Sequence, residues 1–560
     1  MRPFSGIAAV CLFALPACSS RTADQKGLKS TPPAAAYSPN GWSDAERAEY
    51  YHLSEGSELL PYAVLANVIS TKTGKPFLEG MARFGFLPDS VGPSNPHGMP
   101  VGLTAAPSRS SLNQGLEMVG FNCAACHTGQ LTYRGSVLRI DGAPALINLQ
   151  GYQIEFRDSL DATLKDPKKL FTLLVAMSRQ QKAPPPENID QYAGDPSLVS
   201  AGDTPARSTA DPNFHSLPSK TADAPAPARK SPGFAQRLRD NLTILKARLA
   251  YLNHGKLILD GTEPGPGRVD AFGAARNFLF PKQAMKMQSP VSFPFIWGVP
   301  DPAAQPDGQI TWIHYDGNTN SILERNIGQA LGMGAVYDPR TFESTLRIAN
   351  LHRLEALTRK LSPPKWPAAL LGPIDQAKAA GGEKVFNAKC QGCHQDSLIP
   401  LMEIGVDPNR ANSFGQNVGA VSFPDGIAPL LAGLKKRAFE DDGISEPQRA
   451  AMDAKKVVWR STGKYKARRL QGVWATAPYL HNGSVPTLYH LLHPEQRPSQ
   501  FNVGNREYDP QRVGYRSDLP GWLFNSTQPG NSNIGHSGDR FGTNLPEEQK
   551  AQLLEYLKTL

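Results

Sequence analysis

Cys123-Ala124-Ala125-Cys126-His127 returns, with other filler, as Cys390-Gln391-Gly392-Cys393-His394, and this repeated C-x-x-C-H pattern decides how the rest of the chain is read. Two intervening residues set the two sulfurs at the reach of one porphyrin edge, where the thiols can add across the vinyl groups as thioethers. The His that follows falls beneath the ring and can bind iron through its imidazole. Zinc sites and disulfides also use C-x-x-C, but neither requires a His directly after the second cysteine. With that His in both copies, the sequence predicts two covalently bound c-type haems, attached through Cys123, Cys126, Cys390 and Cys393, with His127 and His394 as proximal iron ligands.

The remaining cysteines are Cys11 and Cys18, and both fall in an apparent export signal. Met1-Arg2 is a short positive start, Ile7 to Ala17 is apolar, and Leu15-Pro16-Ala17-Cys18 resembles a lipobox in which Cys18 becomes a lipidated N-terminus; an ordinary cut near Ala17 is the alternative. Export agrees with covalent haem attachment, which in bacteria takes place outside the inner membrane. The expected location is the periplasm, or the outer membrane or extracellular face. No later stretch reaches the roughly 18 apolar residues of a spanning helix, so the membrane enters only through a lipid anchor. The net charge of +9 comes from Lys and Arg scattered among Asp and Glu. Solvated charge and propionate partners account for it, and no nucleic-acid partner is expected.

The expected fold class is mainly α, with two cytochrome c-type haem domains, long loops and a disordered insertion. Gly and Pro, 50 of each, argue for loops between helices rather than sheets. Residues 1–18 read as signal and 19–40 as a flexible tether. Residues 41–182 begin the N-terminal haem domain, 183–233 form a Pro/Ala/Ser-rich insertion too poor in apolar residues to order itself, and 234–370 complete that domain with the distal pocket. Residues 371–560 form the C-terminal cytochrome c domain. There Gln376 to Phe386 precedes the second motif as a helix whose Gly permits close crossing by a C-terminal helix begun at Leu545-Pro546-Glu547-Glu548. Residues 112–121 are expected to be the corresponding helix before the first motif.

The sixth iron position separates carrier from enzyme. For the second haem, Met452 has a class-I cytochrome spacing but lies in a charged stretch expected to be an exposed helix. His536, in the Gly/Asn-rich loop Pro529 to His536, is the other candidate. From Thr128 to Phe214 the only His or Met is Met177, so no local group closes the first iron. An open iron binds peroxide or dioxygen, which makes the first haem the candidate active site. Trp312 and His314, in Thr311-Trp312-Ile313-His314-Tyr315-Asp316, are the candidate catalytic residues, and Trp297 reads as core packing.

Both motifs, the run Ala477-Pro478-Tyr479-Leu480-His481-Asn482-Gly483-Ser484-Val485-Pro486-Thr487-Leu488, and the ending from Gly530 to Leu560 resemble the di-haem cytochrome c peroxidase superfamily, and within it the rubber-oxygenase-like branch. The resemblance implies that His481 lies beside a haem propionate or behind a ligand. Classical bacterial peroxidases carry a ligand Met after this run, where Glu495 stands here, and a removable distal His after the first motif, where Ala143 stands here. The branch pattern instead implies an open first haem and a second haem held by His394 and His536. The expectation is therefore an exported di-haem oxidoreductase using peroxide or dioxygen, with a small redox protein as candidate electron donor. A non-catalytic electron-transfer cytochrome is the rival, and a zinc- or disulfide-stabilised binding protein a third reading.

Overall fold

The computed structural model describes residues 35–110, 113, 115–181, 233–254, 260–299, 312–453 and 456–560. The signal, the lipobox and the insertion predicted over 183–233 lie, but for Gly233, outside the described residues. The described residues are 43% helical and 15% strand, and the strands matter more than expected because they frame both motifs.

Glu117–Phe121 is the middle strand of an antiparallel sheet, between Leu60–Pro61 and Leu103–Pro107. This corrects the helix expected over 112–121. Gly115 and Gly120 each disfavour a helix by about 1 kcal/mol, whereas Val119 and Phe121 suit a pleated, buried surface. The chain then makes a single turn of helix, Cys123–Cys126, capped by Asn122, whose side chain accepts from Ala124 N at 3.0 Å and donates to the Tyr50 and Leu53 carbonyls at 2.9 and 3.0 Å. After His127, Thr128–Tyr133 pairs antiparallel with Ser136–Asp141, which pairs in parallel with Ala36–Tyr37. Residues 36 and 37 thus belong to the fold, and the tether does not run on to residue 40.

Helices Leu149–Lys165, Pro167–Gln180 and Phe234–His254 bury Tyr152, Phe156, Leu174 and Leu245 in one core with Phe77, Phe86 and Phe121. A second core joins helices Ile322–Gly332 and Ile348–Arg359 to Phe423–Asp441. Met452 is buried there at 6% exposure, not on an exposed helix face, because its apolar side chain packs into a core that includes Phe414.

Helices Gln376–Lys389 and Glu547–Thr559 cross where a Cβ on Gly382 would stand 2.0 Å from the Gln552 carbonyl oxygen. Close crossing there is open only to glycine. A third core draws on both halves of the chain, setting Trp42, Leu131, Trp297 and Leu357 with Phe386, Trp474 and Leu557. No core boundary therefore falls at residue 370: residues 272–280 and 323–351 contribute side chains to one core with 414–452, so the segment assigned to the first haem domain is shared between the halves.

Candidate haem sites

The first motif opens on a cavity of about 540 Å3 lined by Cys123, Cys126 and His127 and walled by apolar side chains such as Phe272, Phe278, Phe293 and Leu431. His127 Nδ1–H donates to the Pro294 carbonyl at 2.8 Å, which leaves Nε2 free for a metal. Burial, aided by the Arg325 charge, lowers its pKa to about 3, so the imidazole is neutral as an iron ligand must be.

His314 lines the same cavity with a left-handed φ of 68°, which a non-glycine residue holds only under constraint. Its Nδ1–H donates to Asn318 Oδ1 at 2.6 Å, and its Nε2 accepts from Arg325 Nε at 3.3 Å. Both ring nitrogens are engaged, and burial with Arg325 and Arg410 nearby holds the pKa well below the usual histidine value. His314 is therefore a neutral, fixed group and not a free sixth ligand. The cavity also contains one thioether, Met333, just past helix Ile322–Gly332. Glu55, fully buried, receives a bond from Gln329 Nε2 at 2.9 Å and lies 3.8 Å from Cys123 Sγ; burial raises its pKa to about 8, so it carries a proton at neutral pH.

The second motif closes helix Gln376–Lys389 at the surface, with Cys390 and Cys393 half-buried. Strand Ser397–Pro400 pairs antiparallel with Lys464–Ala467, so that Arg468 arrives beside His394 and its carbonyl accepts from His394 Nδ1–H at 2.7 Å. The His536 ring faces that of His394 with centroids 6.4 Å apart. Two imidazoles on opposite sides of one metal, each bonded at about 2 Å, have centroids roughly 6 Å apart. His536 Nδ1 is buried without a hydrogen-bond partner, a cost of about 1–3 kcal/mol that a metal bond at the ring would offset. The residues of both motifs thus fit haem: neutral imidazoles, Nδ1 of each proximal His tied to a backbone carbonyl, and, at the second motif, a second imidazole opposite.

The His536 loop is held by a residue that the sequence reading missed. Arg497 donates from Nη1 to the Asn533 and Gly535 carbonyls at 2.7 and 2.8 Å, and from Nη2 to that of His536 at 3.3 Å. Carbonyl clamps of this kind join residues distant in sequence, and a lone Arg shows no pattern.

Trp312 is not among the residues that line the cavity. The Arg460 guanidinium lies 3.3 Å from its ring centroid, and its carbonyl accepts from Lys466 Nζ at 2.9 Å. His481 is buried and stacks on Tyr465 at 4.2 Å, with its pKa lowered to about 3 by burial and then by Arg410. Trp297 is buried, its indole N–H donating to the Gln471 carbonyl at 2.8 Å.

Asp316 is wholly buried, 4.0 Å from Arg410, and burial outweighs that guanidinium to raise its pKa to about 6. A carboxyl with a raised folded pKa binds more protons folded than unfolded, so it costs nothing below its unfolded value and destabilises progressively as pH rises from about 4 to 6. Relative to the parent, Asp316→Asn should therefore gain roughly 3 kcal/mol across that window and no more above it. Paired thermal melts against pH would show it, and parallel curves would refute it.

A family described as RoxA-like, cytochrome c-like matches residues 463–502, the stretch that contains Arg468, His481 and Arg497. The uncharacterized protein y4iJ of Sinorhizobium fredii is 28% identical over 93% of this chain and 92% of its own length. The uncharacterized protein y4iM of the same organism is 31% identical over 54% of this chain and 70% of its own. The chain belongs to the y4iM family. In this y4iM-family chain the RoxA-like domain supports a rubber-oxygenase-like cytochrome, haem c as cofactor and a haem-dependent oxidoreductase function.

Proposed function

We propose that the protein is an exported di-haem oxidoreductase in which the first motif forms the active site and the second an electron-relay site. Haem held by Cys123, Cys126 and His127 supplies an iron able to activate peroxide or dioxygen, and haem held by Cys390, Cys393, His394 and His536 supplies one that exchanges electrons. The contrast between the sites carries this reading: His394 faces a second imidazole, whereas among the described residues the other histidine lining the His127 cavity, His314, has both nitrogens engaged.

The chain's own groups divide the work. Pro294 orients His127 through its carbonyl, and the apolar walls exclude water from the cavity. Arg325 and Asn318 hold His314 neutral with its proton on Nδ1, while Glu55 keeps a proton beside the first motif. Trp312, shielded by Arg460, serves as a supporting side chain; Trp312→Phe should leave both haems in place and lower turnover by less than about tenfold, as a group outside the reacting centre does. A small redox protein is the proposed electron donor, meeting the half-buried cysteines of the second motif at the surface. The periplasm or outer face is the proposed location, with a lipid on Cys18 as the proposed membrane anchor.

The rival reading, an electron-transfer cytochrome, is favoured by Met333, the one thioether in the cavity. A pyridine haemochrome count with ligand titration separates the two. Two haems per chain, one of which binds cyanide and, when reduced, carbon monoxide, supports the enzyme. Two haems that both refuse ligands until Met333 is replaced by Leu would establish the carrier.

A further inference from the structure

His127 and His394 donate their Nδ1 protons to two carbonyls, one belonging to Arg468 and the other to Pro294, whose neighbour Phe295 the Arg468 side chain holds. The acceptors are Pro294, at 2.8 Å, and Arg468, at 2.7 Å. Arg468 Nη1 in turn donates at 2.8 Å to the carbonyl of Phe295, the residue after Pro294. The same guanidinium lies 3.5 Å from the centroid of the Phe295 ring, which stacks on Trp297 at 4.7 Å. Burial lowers the Arg468 pKa to about 10, with Tyr315 and Asp396 opposing, so the group stays charged at neutral pH. Arg468 also lines the first-motif cavity while its backbone belongs to the strand edge beside the second motif.

We propose that Arg468 is the positioning residue that couples the two haem sites, holding both proximal imidazoles as the ends of one hydrogen-bonded run from His127 through Pro294, Phe295 and Arg468 to His394. The inference rests on the two-haem reading. A carbonyl bonded to the far nitrogen of a ligating imidazole sets its orientation and basicity, so a residue that supplies one such carbonyl and anchors the peptide beside the other ties the setting of one site to the other. The run also links the irons for electron exchange. With haem bound at both motifs, the run would offer a path along which one electron could pass from a reduced iron at the second motif to an oxidised iron at the first. The Trp312 ring, packed under Arg460, has no place on this run.

Arg468→Met and Arg468→Lys, made in the full haem-loaded protein, cut the side-chain link and leave the backbone carbonyl on His394 intact. Haem count, the low-spin resonance of the second haem, the midpoint potential of each haem, and electron return after carbon monoxide is photolysed from half-reduced protein are the readouts. Both variants should keep two haems and the low-spin resonance, shift the midpoint potential of the first haem, and slow haem-to-haem transfer by roughly tenfold or more. Parental transfer and potentials in both variants would overturn the inference. So would full recovery in Arg468→Lys alone, since charge without the planar fork would then suffice. A haem count of one in the parent would remove the two-haem reading and this inference with it.

Discussion

His536→Ala is expected to turn the low-spin resonance of the C-terminal haem into a high-spin one and to open that iron to cyanide and, once reduced, to carbon monoxide. The loop that carries His536 is built to hold its ring opposite His394. Gly535 has φ +77°, and a Cβ there would stand 2.3 Å from the Gly405 carbonyl carbon. His536 itself takes a left-handed φ of 45°, donates its N–H to the Ile404 carbonyl at 2.8 Å, and packs its ring 4.7 Å from that of Phe541. A non-glycine residue in that backbone region costs about 1–2 kcal/mol, which the Arg497 clamp and a metal bond can offset. Removal of the imidazole leaves no other histidine ring facing His394 in the ring contacts of the described residues. Electron paramagnetic resonance on the purified variant decides the matter. A surviving low-spin resonance in His536→Ala, with loss of it in Met452→Ala, would restore the class-I ligand, although Met452 lies in the core around Phe414.

Gly102→Ala should cost the first motif its haem while leaving the second loaded. Gly102 has φ +82°, and a Cβ on it would lie 2.1 Å from Ala125 N and 2.3 Å from Ala125 Cα. Those are backbone atoms of the turn that spaces Cys123 from Cys126, so no rotamer relieves the clash. The turn must shift away from the Asn122 cap and the Tyr50 carbonyl it is tied to. The left-handed φ and the displaced cap together cost about 3 kcal/mol or more. Haem staining of proteolytic fragments separates the two motifs: the fragment with Cys390 should stain as in the parent and the fragment with Cys123 should lose most of its stain. Equal staining, with a melting temperature unchanged, would show that the turn tolerates the methyl group.

The covalent pattern of each site was legible because it is local. The spacing of two thiols and an imidazole is set within five residues, and the crossing glycine of helix Gln376–Lys389 was legible because helix contacts repeat at fixed intervals. His536 could be singled out only by its loop composition, and its partnership with His394 depends on Arg497 and on the approach of Gly535 to Gly405. The setting of the first motif was misread, since a short stretch rich in Met, Val and Phe can serve a strand or a helix until its partners are known; the neighbouring strand Leu103–Pro107 and the approach of Gly120 to Ser57 settle it.

By itself, the sequence determined which atoms can be bonded to haem and that the chain carries two such motifs, because those constraints are covalent and act within a few residues. Tertiary structure alone decided what surrounds them. Strand pairing set the Arg468 carbonyl on His394 and brought its guanidinium to Phe295. His314, read as a candidate catalytic residue, lines the cavity with both of its nitrogens held by Arg325 and Asn318. Trp312, read as a candidate catalytic residue, is not among the residues lining the cavity and packs under Arg460. Each outcome depends on hydrogen bonds and packing between residues tens to hundreds of positions apart, whose geometry is set by the cooperative packing of the whole chain and leaves no periodic trace along it.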